Sequence, residues 1–139
     1  MHISQAAAEG GGGQVATTMR LQDWIQNQEV LMLVDSGSSH MFVSSTLAER
    51  LQGVRRSISP LKVKVANGGQ MHCNTELQDC EWWTQGHSFR NCFKVLPLGS
   101  YDVILGYDWL TEHSPMQVDW SQQTMDFQHR EQQVRLTGV

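Results

Sequence analysis

An unbroken apolar run leads directly into a carboxylate and a glycine at residues 31–37, which read LMLVDSG. An apolar run bounded by turn residues is typical of a strand that is buried on both faces, and Gly37 permits the sharp turn that follows. Asp35 is therefore expected at the inner end of a buried strand, on a tight loop. A lone carboxylate there is costly unless it is hydrogen-bonded, paired or protonated. Such a position indicates function more often than packing, the alternative being a structural carboxylate that caps the turn.

The composition limits which classes of protein this chain can belong to. Its 139 residues are 40% hydrophobic and 17% charged, which is typical of one globular domain with its own core. The net charge of −4 argues against nucleic-acid binding through phosphate contacts, and no apolar run reaches the length of a membrane span. The cysteines have no metal-binding spacing, so we expect no metal and no cofactor. Reduced thiols of a cytoplasmic protein are the favoured interpretation, with a disulfide as the weaker one, for these three: Cys73, Cys80 and Cys92.

The chain divides into a short leader and a folded domain. Residues 1–14 are small, polar and glycine-rich and are expected to form a flexible leader or linker, which places the domain at 15–139. About eight short strands are predicted there between turn residues, with helices at 44–52 and 107–113; a Thr46–Glu49 capping box would begin the first helix. The pattern predicts a mainly β fold, a barrel or sandwich, with one or two short helices.

Two hairpins are predicted in the middle of the domain. Residues 61–66 alternate apolar and charged side chains, and 70–73 can return as their partner strand across the strong turn signal Asn67-Gly68-Gly69. A second pair, 76–84 and 87–96, is joined at Gln85-Gly86. Adjacent residues of a strand point to opposite faces, so one ring of the pair Trp82-Trp83 is expected to be exposed.

Two apolar runs each end at a glycine, and the order of the motifs between them is informative. The run at 31–37 and the run at 101–106, with the glycine hairpin between them, resemble the retropepsin family of aspartic proteases. The most similar pattern is the protease domain of Ty3/gypsy-type retrotransposon polyproteins. Residues 34–38 match the family's Asp-Thr/Ser-Gly motif and residues 102–110 match its second signature. The resemblance implies a retropepsin-like acid protease barrel with one lobe per chain.

The resemblance also implies the chemistry. Two carboxylates would hold a water molecule between them and hydrolyse a peptide bond by general acid–base catalysis, sharing one proton. The sequence contains a single Asp-Ser-Gly triplet, so a second Asp35 must come from a second chain. The expected enzyme is therefore an aspartic endopeptidase that is active as a homodimer, with a two-fold axis between the carboxylates.

Further roles follow from the resemblance alone. Ser36 is implied to hydrogen-bond across the two-fold axis, and the Gly37 carbonyl to accept a substrate amide. The glycine hairpin is implied to be the flap that closes over an extended peptide, through these residues: Asn67, Gly68 and Gly69. Structural support beneath the catalytic loop is implied for Ile104, Leu105 and Gly106.

Three positions depart from the pattern of many retroviral members. Those members carry an Asp two residues after the motif glycine and an Arg just after the second glycine, and the resulting ion pair braces their dimer. Here the two positions are Ser39 and Tyr107, so we expect a weak dimer in dilute solution. Ser38 replaces the commoner alanine and places a hydroxyl beside the catalytic carboxylate.

Several nearby residues have simpler interpretations. Asp108 begins a predicted helix, where a carboxylate compensates the helix dipole. His40 follows the motif, but no nucleophile-elbow pattern surrounds the adjacent serines, which argues against a serine hydrolase. The remaining histidines considered are expected at the surface: His87, His113 and His129.

The implied substrate is the polyprotein of the retroelement itself, cleaved in the cytoplasm or within the element's particles. The alternative keeps the fold and omits the catalysis: a protease-like dimerisation or peptide-binding module without activity. Cleavage by the wild type that is lost on replacement of Asp35 would favour the enzyme.

Overall fold

The computed structural model describes residues 18–64, 70–99 and 101–139. The predicted leader at 1–14 lies outside these residues. The strands are β1 (Thr18–Ile25), β2 (Gln28–Asp35), β3 (Phe42–Ser44), β4 (Val54–Lys64), β5 (Gln70–Thr84), β6 (His87–Leu96), β7 (Val103–Leu105), β8 (Gln117–Asp119), β9 (Thr124–His129) and β10 (Gln132–Thr137). The helices are α1 (Ser45–Ala48) and α2 (Tyr107–Glu112).

The strands form one large, curled sheet and one small sheet. The large sheet has seven strands in the order β1-β2-β7-β3-β6-β5-β4, and β1 also pairs with β5, so the sheet closes on itself. The small sheet has the order β10-β9-β8. This mainly β architecture with two short helices confirms the predicted fold class.

The main core lies between the inner face of the large sheet, α2 and the small sheet. Its centre is an aromatic cluster in which Phe89 stacks on Trp82 with ring centroids 4.6 Å apart and meets Trp109 edge-on at 5.8 Å. Phe127 of β9 joins this cluster and ties the small sheet to the large one. The cysteines are free thiols, of which only Cys92 is exposed.

Tight hairpin turns with positive φ at both central residues join three strand pairs of the described chain. The predicted turn at Gln85-Gly86 is confirmed. The other two, Gln26-Asn27 and Arg130-Glu131, lack glycine and therefore gave no strong sequence signal. All three match the right-handed twist of the strands that they join.

The helices and strands differ in length from the predictions. Helix α1 covers only residues 45–48, and its cap is Ser44, whose hydroxyl accepts the Leu47 amide at 3.0 Å. The predicted Thr46–Glu49 capping box is therefore wrong. Strand β4 continues through Pro60, since the pairing with β5 is irregular between Ser57 and Leu61, a place where a missing amide is tolerated. Neither helix of the described residues is long and apolar enough to cross a membrane.

A buried carboxyl group lies in the main core at Asp23 of β1. The residue is fully buried, and among the described residues its carboxylate oxygens have no hydrogen-bond partner of ordinary geometry. Burial raises the pKa of Asp23 to about 7, and the neighbouring Thr84 hydroxyl opposes part of this rise. Asp23 is therefore largely protonated in the folded protein at mildly acidic pH.

His113, at the end of α2, is buried and not at the surface as expected. Its ring packs against Trp109 at 4.7 Å and lies 5.3 Å from the ring of His129. Burial, assisted by the charge of His129, lowers the pKa of His113 to about 4. The interior therefore favours the neutral imidazole, since a charged ring would lose its hydration among aromatic side chains.

These two groups should give the unfolding free energy opposing pH dependences. Asp23 binds its proton more tightly when folded, so its contribution is complete below pH 3.8 and is lost as the pH rises to about 7. His113 binds its proton less tightly when folded, so its contribution is complete above pH 6.5 and is lost as the pH falls to about 4. Relative to wild type, the Asp23→Asn variant should become more stable as the pH rises, and the His113→Phe variant should become more stable as the pH falls. Each difference in the free energy of unfolding should change by roughly 1 kcal/mol per pH unit.

Urea unfolding at several pH values between 4 and 7 measures these differences. His72→Asn replaces an exposed histidine and serves as the control with an unchanged profile. Parallel profiles for wild type and Asp23→Asn would contradict the assignment to Asp23.

Candidate active site

The sheet positions Asp35 at the point where β2 ends. Strand β2 runs antiparallel to β1, where Asp35 pairs with Thr18, and parallel to β7, where Val34 pairs with Leu105. The last four residues of β2 are all buried, so both faces of the strand are covered there, as the apolar run predicts. Strand β2 is therefore held on both edges, and the carboxylate that follows it is fixed by the sheet.

The Asp35 carboxylate is buried but hydrogen-bonded by its own loop. Asp35 is 1% exposed, its Oδ1 accepts the Gly37 amide at 2.9 Å, and its Oδ2 accepts the Ser38 hydroxyl at 3.3 Å. The Ser38 amide also donates to the Asp35 carbonyl at 3.1 Å. Ser36 and Gly37 are exposed at the tip of the loop. Hydrogen bonds within the loop thus hold the carboxylate in place at the base of an accessible loop.

Gly106 lies directly against this loop. A Cβ atom at Gly106 would be 2.3 Å from the His40 carbonyl oxygen and 2.7 Å from the Ser38 carbonyl oxygen. The residue has φ −96°, so glycine is required by the close approach of two backbones and not by its φ angle. The same approach lets the Tyr107 amide donate to the Ser38 carbonyl at 2.7 Å. Strand β7, which includes the buried Ile104 and Leu105, pairs with β2 just before this contact.

Two further aspartates fix the chain around the loop. The Asp108 carboxylate accepts the Met41 amide at 3.2 Å and the Trp109 amide at 2.7 Å, which ties the end of the loop to α2. Asp102 accepts the Leu31 amide at 2.8 Å and so joins the start of β7 to β2. The sequence predicted only a helix-dipole role for Asp108 and none for Asp102, because the Met41 and Leu31 amides that they accept lie about seventy residues earlier in the chain.

Comparison with known proteins identifies the family. The family model described as the PEG10/RTL1 protease domain matches residues 31–135, which is more than half of the chain. The chain belongs to this retropepsin-like family. A search of curated proteins found no match.

A solved structure shares the fold of this retropepsin-like domain. The retroviral protease-like domain of Ddi1 from Leishmania major matches with a TM-score of 0.64 and 19% sequence identity, covering 88% of this chain and 94% of that one. At this level of identity the match establishes the fold. The resemblance to retropepsins is thereby confirmed, with one lobe in the single chain.

The positions that lack the retroviral ion pair lie on either side of the loop of this retropepsin-like domain. Ser39 is half-buried and its hydroxyl lies 3.0 Å from His40 Nδ1, while Tyr107 is 59% exposed. Partial burial holds the pKa of His40 below its usual value, against the opposing effect of the Asp108 charge. Within one chain, backbone and aspartate hydrogen bonds hold this region together without that ion pair.

The predicted flap lies outside the described residues. Its three members are Asn67, Gly68 and Gly69. The strands on either side are described up to Lys64 and from Gln70, and these two residues are antiparallel partners. The hairpin strands predicted at 61–66 and 70–73 are thus paired where they are described, within the longer β4 and β5.

Gly106→Ala should destabilise the domain by about 3 kcal/mol, because the added methyl would overlap two backbone carbonyl oxygens that cannot turn aside. Glu112→Ala is the control. It changes an exposed residue at the end of α2 and should change the unfolding free energy by less than about 1 kcal/mol. Urea unfolding measures both. A Gly106→Ala protein as stable as wild type would show that the contact at Gly106 is not tight.

Proposed function

We propose that this domain is an aspartic endopeptidase that is active as a homodimer, with one Asp35 from each chain. The observation that carries the proposal is the Asp35 loop itself. A carboxylate at the end of a buried strand is hydrogen-bonded by the Gly37 amide and the Ser38 hydroxyl, directly beside two exposed loop residues. Membership of a protease domain family supports the same conclusion.

The proposed chemistry requires two carboxylates with different protonation states. One Asp35 takes a proton from a water molecule, and the protonated Asp35 of the second chain donates to the carbonyl oxygen of the scissile peptide. Two carboxylates this close cannot both be charged without a large cost, so the pair shares a proton. Each chain contains one Asp-Ser-Gly triplet, and the symmetric dimer supplies the other.

The exposed tip of the loop is suited to meet a second copy. Ser36 and Gly37 are exposed, whereas Asp35 beneath them is buried. In the proposed dimer, Ser36 hydrogen-bonds across the two-fold axis, and the Gly37 carbonyl accepts a substrate amide. Because Ser39 and Tyr107 offer no ion pair, the dimer is expected to be weak.

The proposed substrate is an extended segment of a polypeptide, held by main-chain hydrogen bonds between the Asp35 loop and the flap. The glycines of the flap, Gly68 and Gly69, together with Asn67, would close over it between β4 and β5. We propose that this polypeptide is the retroelement polyprotein that contains the domain, of Ty3/gypsy type, cleaved in the cytoplasm or within the element's particles. The resemblance of residues 34–38 and 102–110 to the two signatures of those elements supports this choice.

The second candidate is a protease-like dimerisation or peptide-binding module without activity. The observation that favours it is the presence of Ser39 and Tyr107 where an ion pair would brace an active dimer. Such a module would keep the fold and bind extended peptides without cleaving them.

Asp35→Asn should reduce kcat/KM for peptide cleavage by at least about a hundredfold, since it removes the group that accepts and donates protons. The assay uses the wild-type domain, the variant and a peptide library at mildly acidic pH, with mass spectrometry of the products. Asp79→Asn, which changes an exposed aspartate of the β5 bulge, is the control with unchanged activity. Equal cleavage by wild type and Asp35→Asn, or none by the wild type at high protein concentration, would support the inactive module.

Mixing wild-type and Asp35→Asn chains tests the shared site. If the two chains associate at random, an equal mixture contains about one quarter wild-type dimers, so activity per total dimer should fall to about one quarter and not to one half. The mixture is compared with wild type at the same total chain concentration, at which dimerisation is matched. A fall to one half would show that each chain is catalytically independent.

A further inference from the structure

Two large aromatic side chains are exposed side by side, far from the Asp35 loop. Trp24 is 48% exposed and Trp83 is 46% exposed, and they are directly paired residues of β1 and β5. The neighbouring Trp82 points inward and is fully buried, so it provides the core packing for this part of β5. The fold therefore presents two indole rings together on the outer face, where the core does not use them.

A cleft of about 480 Å³ lies at this pair of rings. Its lining consists of two indoles, two side-chain amides and one carboxylate, from Trp24, Gln26, Asn27, Glu81 and Trp83. The side chain of Gln26 accepts the Gln52 amide at 2.6 Å, and the Trp83 indole N–H donates to Glu81 Oε1 at 3.2 Å. Two of the cleft residues are thus held in place by the protein itself, so a ligand need not order them.

The charges near the cleft favour a cationic ligand. Glu81 is part of the lining, Glu29 is the partner of Trp24 in β2, and Asp79 precedes Glu81 on β5. Arg90 is the cation paired with this group, 3.1 Å from Glu81 and 3.2 Å from Asp79. Together, these three carboxylates and one guanidinium carry a net negative charge.

Indole rings strengthen this preference. Tryptophan is the aromatic side chain that attracts cations most strongly over its face, and a planar guanidinium can stack on an indole while it donates hydrogen bonds to a carboxylate. The side-chain amide oxygen of Asn27 is a further acceptor of the kind that a guanidinium requires.

We propose that the cleft between Trp24 and Trp83 binds an arginine side chain of a partner polypeptide. The site is distinct from the proposed catalytic centre, because Trp24 lies six positions along β1 from Thr18, the partner of Asp35, which is a distance of about 20 Å along an extended strand. It gives the domain a second point of attachment for a polypeptide, and it operates whether or not Asp35 is catalytic.

The test is a titration of the wild-type domain, observed by NMR at the two indole N–H signals, with the peptide acetyl-Gly-Arg-Gly-amide. The matched probe replaces arginine by citrulline, which has nearly the same shape and no charge, and a third probe carries leucine. We expect saturable binding of the arginine peptide, at least about fivefold weaker binding of the citrulline peptide, and weaker binding at high salt. Citrulline or leucine peptides that bind as well as arginine, or no saturable binding of arginine, would overturn the proposal.

Variants locate the binding on the surface. Trp24→Leu, Trp83→Leu and Glu81→Gln should each weaken arginine binding about fivefold or more, since each removes a ring face or the lining charge. Glu112→Gln, which changes an exposed carboxylate at the end of α2, should bind as wild type does. Equal losses in Glu112→Gln would reveal binding by general charge and overturn the assignment. If a tryptophan variant fails to fold, the comparison of arginine with citrulline on the wild type decides the outcome.

Discussion

The loop that carries Asp35 depends on the contact of two backbones at Gly106. Buried carbonyl groups need hydrogen-bond partners, and the Ser38 carbonyl finds its partner in the Tyr107 amide only because no side chain stands between them. The second apolar signature and the first are therefore one structural unit, although about seventy residues separate them. Their joint presence in the sequence carries more information than either does alone.

Four aspartates of this domain show how the surroundings of a carboxylate determine its role. Asp102 and Asp108 accept backbone amides and serve as connectors, and Asp35 accepts an amide and a hydroxyl. Asp23 has a raised pKa of about 7 and would be a candidate for catalysis on that ground alone. It is enclosed in the main core, however, where no substrate has access. Proximity to an exposed loop, more than a shifted pKa, distinguishes Asp35 as the candidate for chemistry.

Local signals account for the parts of the fold that the sequence predicted. The apolar run before Asp35, the Gln85-Gly86 turn and the short second helix each depend on neighbours in the chain, and all were predicted. The turn at Arg130-Glu131 was missed because neither residue is glycine. The link from Asp108 to the Met41 amide joins residues 67 apart, so no local pattern could indicate it. The pairing of β1 with β5, which places Trp24 beside Trp83, was not predicted for the same reason.

The hydrogen bonds around the loop are formed within one chain, and this bears on how the proposed shared active site would be assembled. If dimerisation had to shape the loop, association would need to provide the free energy that orders it. Here Asp35, Ser38 and Met41 have hydrogen-bond partners within the single chain. In the proposed dimer, the second chain would contribute a carboxylate and the hydrogen bonds of Ser36, but no loop ordering. The proposed weak dimer is compatible with a well-positioned Asp35 for this reason, because different contacts would set its affinity and its geometry.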